Sequence, residues 1–243
     1  MGQAELFPAL ALGDAPRLAV QGFVGHDMGC KSEECLRVVS FQGQSRMGSP
    51  DSERAAKRFG QYLRSLKADV AFVAETGLRD GSVQLASFQS IMRQKFNYLV
   101  LNHYPINAPK GKGVLIVTRL EAPVQEKSIV RDMHGRGMAA TIRFARTASN
   151  TQVTGATTQS VRVLAAYGVT GLAAGATPAV KLSEDPGAWL RKCIHAAAAE
   201  DLPILLGTDC NSIADAALDT IGSPAVERVS GLVQQILKAG CEC

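Results

Sequence analysis

The sequence predicts a mixed α/β fold, and three observations carry that expectation. Short, β-branched apolar runs recur along the chain from Leu36 onward. Early and late in the chain, stretches with helical spacing of apolar residues separate neighbouring runs, as the long crossover between parallel strands requires. The middle runs follow one another through loops with no helix between them, which suits antiparallel neighbours.

Residues 1–35 hold Gly, Pro and Ala without a sustained period and read as a poorly structured leader. Seven runs then read as strands: 36–41, 70–74, 98–101, 114–118, 139–144, 161–167 and 204–207. Most are apolar throughout rather than alternating, the pattern of strands buried on both faces. After Ser49 and Pro50, residues Ala55, Phe59, Leu63 and Leu66 fall on one helical face. Leu85, Phe88 and Met92 do the same in a helix over 83–96, and Trp189, Cys193, Ile194 and Ala197 in one over 186–200. Trp189 reads as core rather than as a ligand platform. A fourth helix over 225–239 turns Val226, Val229, Val233, Ile236 and Leu237 inward before Gly240 ends it. The polar stretch 147–160 and the Gly/Ala stretch 168–179 read as loops.

The 243 residues, 46% hydrophobic and 20% charged, suffice for one large domain or two small ones. No apolar run approaches the roughly 20 residues that cross a bilayer, and residues 7–12 lack the length and basic flank of a signal peptide. An intracellular protein without membrane partners is expected. Cys30, Cys35, Cys193, Cys210, Cys241 and Cys243 show no zinc-ligand rhythm, so free thiols and no disulfide-linked partner are expected. A net charge of +4 permits nucleic acid as a partner without demanding it.

Acids and amides at the carboxyl ends of apolar strands are the candidate functional groups, because a strand end presents side chains at a rim that ligands can reach. Glu75 closes the apolar run 69–74; it reads as a hard-cation ligand or as a group pairing with a loop. Asp209 and Asn211 follow the run 202–207, two residues apart and so on one side of an extended segment. Asp209 then suits a general base or metal ligand, and Asn211 a donor to a phosphate oxygen. The competing reading is an Asx turn that caps a following helix.

In order along the chain stand a strand ending Phe41-Gln42-Gly43, Ala74-Glu75-Thr76, the glycine-led run 111–117, Asp132 with Gly135-Arg136-Gly137, the run 163–167 ending in Tyr167, and Gly207-Thr208-Asp209-Cys210-Asn211. Together they resemble the endonuclease/exonuclease/phosphatase superfamily, the magnesium-dependent phosphoester hydrolases that include apurinic endonucleases and LINE-type retrotransposon endonucleases. Residues 212–240 look most like the retrotransposon branch. The resemblance implies two mixed sheets packed face to face with helices outside, formed by residues 36–243. It also implies that the domain is incomplete at its C-terminus, since the family's last strands and closing Ser-Asp-His would fall beyond Cys243.

For the site, the resemblance implies Mg²⁺, with Mn²⁺ as a substitute, held by Glu75 and by Gln42, which stands where the family has an asparagine. Asp209 would orient or deprotonate water, Asn211 and Tyr167 would hold phosphate oxygens, and Asn211 and Arg136 would contact substrate. DNA is the implied partner, and a retrotransposon endonuclease would work in the nucleus. Lys110, Lys112, Arg119, Lys127, Arg131, Arg136, Arg143 and Arg146, facing only Glu121, Glu126 and Asp132, suit a nucleic-acid substrate or a solvated rim. Two alternatives stand beside the endonuclease: a non-catalytic remnant that binds nucleic acid or protein, and a small-molecule phosphatase of the same superfamily.

Overall fold

Apolar runs without alternation need cover on both faces, and the chain supplies it with a second sheet on one side and helices on the other. A computed structural model describes residues 36–43, 46–108, 112–146, 157–168 and 186–209. Among them the order is β1 (Val38–Gln42), α1 (Ser52–Ser65), β2 (Val70–Ala74), α2 (Val83–Phe96), β3 (Tyr98–His103) and β4 (Val114–Arg119). Then come β5 (Val124–Arg131), β6 (Gly137–Arg146), β7 (Thr157–Tyr167), α3 (Gly187–Ala199) and β8 (Ile204–Asp209). The first sheet has the order β1-β2-β4-β3 and the second β5-β6-β7-β8. Each contains one parallel pair, β1 with β2 and β7 with β8, and its other pairs are antiparallel. The fold is therefore the two-sheet α+β sandwich that the resemblance implies.

Alternate residues of β2 face opposite layers. Val70, Phe72 and Ala74 join Val114 and Ile116 against Met138, Ala140, Ile142, Val163 and Ala165 of the second sheet. Ala71 and Val73 face outward to Phe59 and Leu63 of α1 and Phe88 and Met92 of α2. Full burial of each of these larger side chains stabilises the fold by about 1.5–3 kcal/mol. On the far side, Leu190, Cys193 and Ile194 of α3 cover Ala139, Leu164 and Ala166, with half-buried Trp189 packed against the cluster. Ser82 starts α2 as its N-cap, its hydroxyl accepting from Leu85 N at 3.1 Å.

Three features differ from expectation. Strand β5 lies in a segment read as connection: its burial runs in pairs, and its register against β6 shifts between Gln125 and Val130, so no period of two shows in the sequence. Strand β7 starts at Thr157, inside the stretch read as loop, because Thr157 to Ser160 pair with Arg146 to Arg143 of β6 through the backbone, and Thr158 and Gln159 are exposed. Of the basic residues read as a solvated rim, Lys112 and Arg136 are buried. The helix expected over 225–239 and most of the loop expected over 168–179 lie outside the described residues.

Candidate active site at the strand ends

The carboxyl ends of β1, β2, β7 and β8 meet at one rim. Gly43 N donates to Ala74 O at 2.6 Å, and a Cβ on Gly43 would stand 2.9 Å from Glu75 O, so only glycine lets the end of β1 approach β2 this closely. That approach sets Gln42 beside Glu75, with Nε2 donating to Glu75 Oε2 at 3.2 Å. Glu75 itself has φ = 53°, in the left-handed region that a non-glycine residue occupies at a cost. The turn of backbone there carries its half-buried carboxylate out of the β2 line and toward the second sheet.

The second sheet answers with Tyr167. This side chain is 1% exposed and its hydroxyl donates to Glu75 Oε1 at 2.6 Å, across the sandwich. Each carboxylate oxygen of Glu75 thus has one protein donor, and each retains a lone pair. Parallel pairing sets Asp209 opposite Tyr167, and Gly168 N donates to Asp209 O at 2.7 Å. Gly207 allows β8 to lie there: a Cβ on it would fall 2.1 Å from Phe72 Cγ, so any side chain would push the sheets apart. The chain thus uses glycine at Gly207 to bring Asp209 to the rim that holds Glu75.

Tyr167 is braced from behind. The Arg136 guanidinium lies 5.1 Å from the Tyr167 ring centroid, its NH1 group donates to Gly168 O at 3.0 Å, and the residue is 6% exposed. The loop carrying Arg136 folds around Asp132, whose Oδ1 accepts from Arg136 N and Gly137 N at 2.7 Å each and whose Oδ2 accepts from His134 N at 3.0 Å. Beside it, His103 at the end of β3 donates from Nε2 to Asp132 O at 2.6 Å and lies within 3.4 Å of Asp132 Oδ1. Its Nδ1 stands 3.7 Å from Asp80 Oδ2, and Asn102 Nδ2 donates to Asp80 Oδ1 at 2.6 Å. Burial alone would lower the His103 pKa; the Asp132 and Asp80 carboxylates outweigh it and raise the group to about 9. Burial would raise both carboxyls, but donors from His103 and from neighbouring amides hold each below the usual carboxylate range.

The comparisons fit this architecture. No protein-family model matches the sequence, and no curated protein does. Among solved structures, the catalytic domain of APE2 from Xenopus laevis superposes with a TM-score of 0.56 at 12% identity, over 83% of this chain and 66% of that one. AP endonuclease LMAP from Leishmania major gives 0.55 at 14% identity, over 84% and 65%. What the chain shares with the APE2 and LMAP structures is the fold, a two-sheet α+β sandwich. Danio rerio TDP2, in complex with a single-stranded DNA product, matches at a TM-score of 0.47 and 16% identity, over 85% and 65%. This chain spans 65–66% of the length of each of these three structures.

The rim collects Gln42, Glu75, Tyr167 and Asp209, with Arg136 behind Tyr167 rather than open to solvent. Asn211 lies outside the described residues. The His103, Asp80 and Asp132 cluster was not legible in the sequence as a unit, because its members come from β3, the β2–α2 connection and the β5–β6 loop. Among the described residues no group of three or more His, Cys, Asp or Glu side chains is placed to hold a metal ion. The donors at the rim are the Glu75 and Asp209 carboxylates and the Gln42 side-chain amide, hard oxygen ligands of the kind that bind Mg²⁺ together with waters and substrate phosphate. They fit that ion and suit a soft metal poorly.

Proposed function

We propose that the chain is a metal-dependent phosphodiester hydrolase that acts on DNA, a nicking endonuclease of the LINE retrotransposon type. The observation that supports this reading most directly is Glu75, held in a left-handed backbone conformation with both carboxylate oxygens fixed, at a rim shared with Asp209. The structural neighbours with the same fold are AP endonucleases, which process DNA.

Glu75 and the amide oxygen of Gln42 would hold Mg²⁺, which when bound neutralises phosphate charge and stabilises the leaving oxygen. Tyr167 keeps the Glu75 carboxylate aimed, its ring clamped by Arg136, so that the ligand need not be reordered in each turnover. Asp209, on the adjacent strand, orients the attacking water and takes its proton. Asn211, two residues on, donates to the phosphate oxygen that gains charge.

The test is nicking of supercoiled plasmid by the purified chain, in Mg²⁺ or EDTA, with Glu75→Ala and Asp209→Ala alongside. Nicking that requires the ion and falls about 10²-fold or more in each variant is the expected result. A folded chain that binds plasmid without nicking it would instead support the binding-module reading. Turnover of small phosphoesters with intact plasmid would move the proposal to a phosphatase.

A further inference from the structure

At the other end of the first sheet, where α1 and α2 finish and β3 begins, lies an open cavity of about 450 Å³. That volume is within the usual range for small-molecule sites. Four cations line it: Arg64 from the last turn of α1, Lys67 just beyond it, Lys95 from the last turn of α2, and Arg119 from the end of β4. Two acids stand with them, and Glu121 is part of the lining itself. Asp69 Oδ1 pairs with Arg119 Nε at 3.2 Å, and Glu121 Oε1 accepts from Asn97 Nδ2 at 2.8 Å. Among the described residues, Arg64, Lys67 and Lys95 have no carboxylate within ion-pair reach; with Arg119 offset by Asp69, they face the cavity against the one carboxylate of Glu121, an excess of two positive charges.

Helix dipoles favour cations in a last turn, which accounts for Arg64 and Lys95 singly. They do not account for the conformation of Lys67. The end of α1 is a Schellman motif, with Ala68 N donating to Leu63 O and Lys67 N to Arg64 O, each at 3.0 Å. Lys67 occupies its left-handed position at φ = 50°, where glycine is the usual residue and any other costs about 1 kcal/mol. The chain thus keeps a charged side chain at the one position of this turn where removing it relieves strain.

We propose that this cavity binds a multiply charged phosphate group, of which a diphosphate is the probe. An excess of two positive charges calls for roughly two or more negative charges, which a phosphate dianion or a diphosphate brings and a carboxylate does not. The six residue steps from Asp69 to Glu75 span roughly 20 Å along the strand, so a phosphate held here is not the one at the strand-end rim. The same phosphate chemistry comes from a free small molecule or from successive phosphates of a polynucleotide.

Isothermal titration in EDTA, first with inorganic pyrophosphate and then with a single-stranded oligonucleotide, separates the two sources. The variants are Lys67→Gly, which removes the charge and relaxes the turn, and Lys95→Gln. Submillimolar pyrophosphate binding that weakens about three- to fivefold in each variant and fades with salt is the expected result. Thermal melting of Lys67→Gly should equal or exceed wild type, so lost binding there is not lost folding. Oligonucleotide binding weakened by both variants, with pyrophosphate bound only weakly, would assign the site to a polynucleotide. Affinities for both probes unchanged in both variants would overturn the proposal, whatever the plasmid assay shows.

Discussion

His103 is the buried group whose charge state the fold sets most firmly. Its partners are Asp132, which is buried, and Asp80, whose side chain is 40% exposed. A rise from the usual value near 6.5 to about 9 corresponds to roughly 3 kcal/mol of linkage, and solvent screening at Asp80 reduces it to about 2 kcal/mol. Because the folded-state pKa lies above the unfolded one, this stabilisation is complete below about pH 6.5 and is lost as the pH climbs through about 9. The perturbation is His103→Gln, which keeps a donor for the Asp132 carbonyl but cannot titrate. Urea unfolding of both proteins from about pH 6 to pH 10 cancels the groups they share. Wild type should lose about 2 kcal/mol more than the variant over that interval, with equal m-values. Parallel pH profiles, or an NMR titration placing His103 at or below 6.5, would refute the assignment of a charged imidazolium between two carboxylates.

Three further outcomes are expected. Gly207→Ala drives a methyl into the Phe72 ring and should cost about 1–3 kcal/mol by urea unfolding; Phe72→Leu in the same chain should recover part of it. Tyr167→Phe removes the donor to Glu75 while keeping the ring under Arg136, and should cost about 1.5–3 kcal/mol of stability, read as a shift of the urea midpoint. Cys193 is buried and its thiol is pushed up by that burial. Its alkylation, followed by mass spectrometry of its peptide, should be about 10²-fold slower in the native protein than in urea.

What the sequence discloses and what it hides follow from where each signal is stored. The apolar run closing at Glu75 is local, so residues 70–74 and the acid at their end are readable without a partner. The same holds for Val83 to Phe96, whose helical face needs no knowledge of the sheet it covers. Strand β5 carries no such mark, because an edge strand with a register shift has neither uniform burial nor alternation. The first four residues of β7 look like loop because they are polar in sequence, and it is their backbone pairing with β6 that makes them strand. His103 and Asp132 are 29 residues apart and meet only because β3 and the β5–β6 loop end at the same level. Arg136 is a different case: its sequence neighbourhood suggests a solvent-facing contact, yet the loop wrapped around Asp132 turns it inward against Tyr167.

The two sheets also divide the chain cleanly. Among the described residues, every strand of the first lies between Val38 and Arg119 and every strand of the second between Val124 and Asp209, and the short link around Leu120 to Pro123 crosses from one to the other. Gln42 and Glu75 belong to one segment, Tyr167 and Asp209 to the other, and neither segment alone holds the rim. The hydroxyl-to-carboxylate contact between Tyr167 and Glu75 therefore joins two segments that are separate in sequence, and it forms where both are seated across their common apolar face.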